Sequence, residues 1–259
     1  MKALIPPSAV LVVFLSLAAP RQAVATLSIY SGVDNGVGPT DPRPNSDAAA
    51  ANFHSAISGP GFGPAGLIDF ESSPLGGFVS MSSGDLGVPG VSISPAASSD
   101  GDDTSIVNTV GDNLVGFNTT AGGANYLSID EQAAGELSVG VSFEFSTPIL
   151  GFGSYITGVE PGQGLVTVVF DNGTVQSLVP KSPVGGGSQF FGFVDTMAVG
   201  ITRVSMIVNP IDEMNNNTIG VDDVRFGAVP EPSTFLLLGL GLLGLMATAV
   251  RGHQRRVAA

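Results

Sequence analysis

Cysteine and tryptophan are absent from this chain of 259 residues, and it has only two histidines, His54 and His253. Without thiols there can be no disulfide, zinc–thiolate site, iron–sulfur cluster or cysteine nucleophile. A single imidazole between the two ends rules out histidine-rich metal catalysis. A Ser–His–Asp triad would have to be built on His54, yet no Gly-x-Ser-x-Gly elbow occurs. The glycine clusters at Gly59–Gly63 and Gly185–Gly187 lack the flanks of a P-loop or a dinucleotide fingerprint. The missing indoles weaken a sugar-stacking surface, although Tyr30, Tyr126 and Tyr155 remain for that role.

Cations are the other shortage. Residues 26–229 carry only Arg43, Lys181, Arg203 and Arg225 against 21 of the 22 acidic residues, 4 minus 21, a net of −17. Such a surface repels phosphate backbones and excludes nucleic acid as a partner. It suits divalent cations or plain solubility outside a cell, and solubility is the simpler reading.

What the chain has in quantity sits at its ends. Pro230-Glu231-Pro232 precedes an apolar run from Phe235 to Val250, which is closed by Arg251, His253, Arg255 and Arg256. As a helix that run would span about 24 Å, short of the roughly 30 Å hydrocarbon core. Positive charge beyond an apolar run stays in the cytoplasm, so the N-terminal side is expected to be exported. The order of motif, apolar run and arginines resembles the PEP-CTERM sorting signal of bacterial exosortase substrates. The resemblance implies that Pro230, Glu231 and Pro232 are read by an exosortase-type sorting protease. It also implies a temporary single short transmembrane helix at Phe235–Val250 and cytoplasmic retention by Arg251, Arg255 and Arg256. The competing reading is an ordinary C-terminal membrane anchor.

The N-terminus agrees with export. Lys2 precedes the apolar stretch Ala9–Ala19, and Ala23-Val24-Ala25 fits the small-x-small cleavage pattern of a signal peptide, leaving Thr26 first. Residues 1–25 are therefore expected to be a signal peptide, the alternative being an uncleaved anchor.

Between these signals the pattern is all-β. Val139, Val141, Phe143 and Phe145 alternate with Ser138, Gly140, Ser142 and Glu144, a strand with one apolar face. Leu165–Phe170 and Thr174–Val179 flank Asp171-Asn172-Gly173, a strong hairpin signal. Further strands are expected at Leu67–Phe70, Val88–Ile93, Tyr126–Ile129, Leu150–Tyr155, Gln189–Val194, Ile201–Val208 and Ile219–Phe226. Their spacing suits one antiparallel β-sandwich over residues 67–227. Gly, Pro, Asp and Ala dominate Ser31–Gly66. Residues 26–66 therefore read as a loop or ordered extension, with Asp47–Ile57 the best candidate for one short helix. Residues 228–256 form the sorting signal.

The segments Leu67-Ile68-Asp69-Phe70-Glu71 and Ile219-Gly220-Val221-Asp222-Asp223-Val224-Arg225-Phe226 resemble the first and last strands of jelly-roll domains such as carbohydrate-binding modules. The resemblance implies that these strands are neighbours and share a structural calcium through Glu71 and Asp222 or Asp223, with Asp69 in reserve. Calcium takes six to eight oxygens, so these carboxylates supply the chemistry but not a full set. Asp100-Gly101-Asp102-Asp103 fails as an EF-hand because its twelfth position is Gly111. Many carboxylates offer a glycosidase pair, but nothing selects one. The expectation is a non-catalytic protein of the cell surface or extracellular matrix. The alternative is a calcium-dependent module binding an extracellular polysaccharide.

Overall fold

A computed structural model describes residues 27–97, 103–112, 114–130, 138–158, 166–171, 175–178, 186–195, 200–208 and 218–230. In chain order the elements are β1 (Leu27–Asn35), α1 (Pro44–Ile57), β2 (Ala65–Ile68), β3 (Gly76–Gly77), α2 (Ser83–Leu86), β4 (Val91–Ala97), β5 (Thr104–Val107) and β6 (Tyr126–Asp130). They continue with β7 (Val139–Thr157), β8 (Val166–Phe170), β9 (Val175–Leu178), β10 (Gly187–Asp195), β11 (Ile201–Val208) and β12 (Thr218–Ala228). Every pairing between these strands is antiparallel.

β7 organises the molecule. Its first half, Val139–Phe145, lies between β4 and β11, and β11 leads on to β8 and β9. Its second half, Gly151–Thr157, lies between β10 and β12, with β1 beyond β10. β12 takes β6 as its outer neighbour along Thr218–Val221 and β2 along Val224–Gly227. One strand thus belongs to two groups of neighbours, or layers, and passes from one to the other between Phe145 and Gly151, as strands at sandwich corners do. The layers meet through rings: Phe170 on Phe193 at 4.1 Å, Phe145 on Phe226 at 5.0 Å and Phe143 on Phe152 at 5.4 Å. Each buried phenylalanine of this kind contributes about 1.5–3 kcal/mol by leaving water.

A second, smaller core lies outside the β10–β7 surface, where α1 packs. Phe53 is fully buried there with Ala49, Ala50, Ile57, Tyr155 and Phe190. The helix approaches closely because β7 and β10 offer glycine opposite glycine, Gly153 against Gly192. A Cβ on either would meet the Phe53 ring at 3.0 or 2.8 Å. The helix start is secured from a distance. Arg43 at the N-cap position makes no side-chain cap bond, and Pro44 follows it. Asp34, at the end of β1, instead accepts from the backbone N–H groups of Asn45 (3.1 Å) and Ser46 (2.8 Å) and from the Ser46 hydroxyl (2.6 Å). Burial pushes the Asp34 carboxyl up, but these donors outweigh it and hold it below its usual range.

The expectation is met in its coarser form, a mostly β chain with antiparallel pairing, and the expected neighbours β2 and β12 pair with Ile68 opposite Val224. β8 and β9 pair as the hairpin signal predicts, with Val169 opposite Val175, while Asn172-Gly173 lies outside the described residues. Two readings need correction. The short helix expected at Asp47–Ile57 is α1, but residues 27–66 are more than an ordered extension: β1 pairs with β10 along its whole length, and α1 builds its own core against the sheet. The strands expected at Leu137–Phe145 and Leu150–Tyr155 are not separate: Val139–Phe145 and Leu150–Tyr155 are parts of the single β7, Leu137 lying outside the described residues. Among the described residues no helix is long and apolar enough to cross a membrane. The sequence-predicted signal peptide, Phe235–Val250 and the acidic residues Asp100 and Asp102 fall outside those residues.

Candidate functional site

The changeover on β12, where β6 gives way to β2, falls at Asp222 and Asp223. Here the ladder with β7 slips, and Asp223 takes a left-handed φ of 48°. Such a bulge re-aims side chains that a regular strand would alternate. Both aspartates are buried, Asp222 completely.

Their target is the loop that leads into β6. Asp222 Oδ2 accepts from Thr119 N (2.6 Å), Thr119 Oγ1 (2.9 Å) and Thr120 N (3.2 Å). Asp223 Oδ1 accepts from Thr120 Oγ1 at 3.0 Å, while its Oδ2 lies 3.7 Å from Arg225 Nη2. Glu71, just beyond β2, grips the other end of the loop. Its carboxylate accepts from Asn118 Nδ2 (2.7 Å), Ala124 N (3.0 Å) and Asn125 N (3.2 Å). Asn125 Nδ2 returns the contact by donating to the carbonyls of Phe70 and Glu71, both at 3.2 Å. Gly123 has to be glycine for this closeness, since a Cβ there would lie 2.1 Å from Glu71 Oε1. Behind the loop, Thr157 Oγ1 receives the Phe117 N–H at 2.8 Å and lies 2.9 Å from the Phe117 carbonyl, to which it donates.

Arg43 completes the cluster from the helix side. Its Nη2 donates to the Thr119 carbonyl at 2.9 Å, its guanidinium lies 5.5 Å from the centre of the Tyr155 ring, and Asp47 is 3.7 Å from its Nε. Tyr155 in turn donates to Asp47 Oδ1 at 2.8 Å, and burial, then that bond, push its phenol well up. The loop and Arg43 wall a cleft of about 310 Å³, bordered also by Thr40, Asn108 and Thr109.

The electrostatics at the floor are uneven. Burial, reinforced by neighbouring Asp223, pushes the Asp222 carboxyl up to about 7 although Thr119 donors oppose it. Asp223 is also raised by burial, with Arg225 pulling the other way. Asp222 Oδ1 and Arg43 Nη1 are buried without hydrogen-bond partners. Leaving buried polar atoms unpaired is costly, so the cluster is not optimised for stability alone.

Glu71, Asp222 and Asp223, the sequence-predicted metal ligands, are therefore brought to one loop, but they hold it through N–H and O–H donors at its two ends. Among the described residues no group of three or more His, Cys, Asp or Glu side chains is arranged to hold a metal ion. Asp69, the reserve ligand, accepts from the Glu71 N–H at 3.2 Å. Pro230 is described and exposed, one residue past Val229. Glu231, Pro232, Arg251, Arg255, Arg256, Ala23, Ala25 and Thr26 lie outside the described residues. Sequence reasoning missed Arg43, Asn118, Thr119 and Asn125. The Asn118 amide is committed to Glu71 and to the Asn125 carbonyl at 2.6 Å.

No curated protein matches the chain in sequence. Among solved structures it is similar to the K2 cleaved adhesin domain of Lys-gingipain, at 18% identity over 62% of this chain and 97% of that one, with a TM-score of 0.40. The K1 cleaved adhesin domain of Lys-gingipain from Porphyromonas gingivalis W83 gives 10% identity over 65% and 100%, also at 0.40. A family 11 carbohydrate-binding module of a Clostridium thermocellum cellulase gives 12% over 65% and 98%, at 0.30. The specific match lies in the tail. Residues 228–256 are a PEP-CTERM protein-sorting motif, which marks the chain as exported and membrane-transiting by exosortase-dependent sorting.

Proposed function

We propose that this chain is a non-catalytic component of the cell surface or extracellular matrix, a jelly-roll-like sandwich delivered by its tail and cut at Pro230-Glu231-Pro232 by an exosortase-type protease. The observation that carries the reading is the sorting-motif match at residues 228–256, which begins where β12 ends at Ala228. Among the described residues the final backbone ties run from Val229 N to the Pro148 carbonyl and from Gly63 N to the Ala228 carbonyl, both at 2.9 Å, and a cut at Pro230–Pro232 leaves both in place. The acids of the cluster bear on the non-catalytic part of the reading: Glu71, Asp222 and Asp223 each accept from donors of the loop that they hold.

Intact mass of the protein recovered from culture medium and from membranes tests this. A species running from near Thr26 to near Pro230–Pro232 outside the cell supports sorting and processing. A membrane species that keeps Phe235–Arg256, with no shorter form outside, means a fixed anchor and removes the protease from the scheme.

A second reading is a calcium-dependent module for extracellular polysaccharide. One atom favours it: Asp222 Oδ1, buried and unpartnered beside Asp223. Calcium would draw on Asp222 and Asp223, Glu71 being committed to the other end of the loop, and the cleft over Arg43 would take the glycan. Polysaccharide pull-down with and without chelator decides it, since binding that survives chelation removes the metal from the account.

A further inference from the structure

Both ends of the described chain leave the same end of the sheet. Leu27 at the start of β1 pairs with Asp195 of β10. One step along, Val194 pairs with Gly151 of β7, and Gly151 pairs with Gly227 of β12. Leu27 and Ala228 are thus nearly level across four strands, about 15 Å apart at the usual strand spacing. The same end carries an apolar groove of about 480 Å³ lined by Phe145, Phe226, Val229, Pro64, Pro89 and Thr147. β1 then runs away from that end to Asn35, about 26 Å distant at ordinary strand rise. The cleft over Arg43 and Asn118–Ala124 sits beside Asp222, on the far side of the β12 changeover from Ala228.

The lengths of chain beyond these ends are short. From Val229 to Phe235, where the apolar run starts, there are six Cα steps, at most about 20 Å of extended backbone. After the expected signal cleavage only Thr26 precedes Leu27, so the tether is the C-terminal one. Since Val229 N and the Ala228 carbonyl are tied to the fold next to Pro230, that end has little slack to let the domain turn over.

We infer that the end of the sandwich bearing Leu27, Pro89, Thr147 and Val229 faces the phospholipid surface of the export membrane while the tail is inserted, so that the Arg43 cleft points away from the bilayer. This rests on the membrane-transiting reading of the tail. The surface offered to lipid is the apolar groove, in which Phe145 and Phe226 lie behind prolines and a threonine, rather than the acidic remainder of the domain. The cleft remains open to whatever lies outside while the protein is still tethered, so ligand access does not depend on release.

The absence of cysteine provides the test. Single variants Pro89→Cys and Thr147→Cys near the groove, and Asn35→Cys and Val110→Cys away from it, all at exposed positions, are labelled with a fluorophore in the full chain. The labelled proteins are incorporated into phosphatidylethanolamine–phosphatidylglycerol vesicles carrying a headgroup-attached nitroxide. Several-fold stronger quenching at Pro89 and Thr147 than at Asn35 and Val110 is the expected result. Equal quenching at all four sites, or stronger quenching at Asn35 and Val110, overturns the orientation while leaving tail insertion intact. Failure of the chain to enter vesicles overturns both the orientation and the anchoring on which it rests, and flotation reads that outcome separately.

Discussion

Asp222 Oδ2 and the backbone N–H of Thr119 lie 2.6 Å apart across 103 residues of sequence. This bond ties the last strand to the loop before β6, and it does so with a carboxyl raised to about 7, chiefly by burial. In the unfolded chain the same group titrates near 3.8. Between those values the folded state holds a proton that the unfolded state has released. Stability contributed through Asp222 is therefore greatest at the acidic end and falls as pH rises toward 7, at up to about 1.4 kcal/mol per pH unit. Asp222→Asn keeps a carbonyl acceptor for Thr119 and removes the proton uptake. Urea unfolding across this window should show a flatter profile for the variant, and an unchanged slope would assign the pH dependence to other groups.

Glu71 fastens the opposite end of the same loop through charge-assisted bonds, each of the kind worth about 1.5–3 kcal/mol. Glu71→Ala should cost about that much in total because the site is partly open to solvent, and the loss should be local. Hydrogen exchange of the Ala124 and Asn125 amides should accelerate while the β7–β10 ladder stays protected. Glu71→Gln, which keeps one acceptor, should fall between the two.

The α1 interface should be far less forgiving. Phe53 is fully buried on paired glycines, so Phe53→Ala leaves a cavity and should cost about 3–5 kcal/mol by denaturant unfolding. Gly192→Ala should also destabilise, because its Cβ would meet Phe53 at 2.8 Å and Phe190 at 3.0 Å, and both rings are fully buried with little room to yield. If both changes were nearly neutral, α1 would not be an integral part of the core.

The Arg203–Glu144 pair makes the opposite point. Its contact is short, at 2.7 Å, yet both side chains are about half exposed. Glu144→Gln should cost no more than about 0.2–1 kcal/mol, with the difference shrinking in high salt.

These contrasts also explain what was legible in the sequence. The period-two face of Val139–Phe145 announces itself because one side meets core and the other does not. Beyond Ile149 the parity changes, from Val141, Phe143 and Ile149 inward to Phe152 and Ile156 inward, with the ladder slipping between Gly227 and Ala228. A reader of alternation sees two strands where the backbone makes one. β1 gave no such signal: it is an edge strand whose helix-facing positions include Gly32, where a Cβ would lie 2.0 Å from the Asn45 carbonyl oxygen. Its glycine is a packing surface, not a sign of irregular chain. The acids Glu71, Asp222 and Asp223 stood out by type, but their partners Asn118, Thr119 and Thr120 lie about 50 and 100 residues away and are chosen by topology. Arg225 beside Asp223 was within reach of sequence; Arg43 over Tyr155 was not.

The position of β12 has a mechanical consequence. It is the strand that continues into the tail, and it is flanked on one side by β7 and on the other by β6 and then β2. A pull along the tail therefore does not peel an edge one hydrogen bond at a time. It loads two antiparallel ladders in shear together, with the Asp222 and Asp223 ties behind them, so a domain held to a surface by this end meets drag with a strand bonded on both sides.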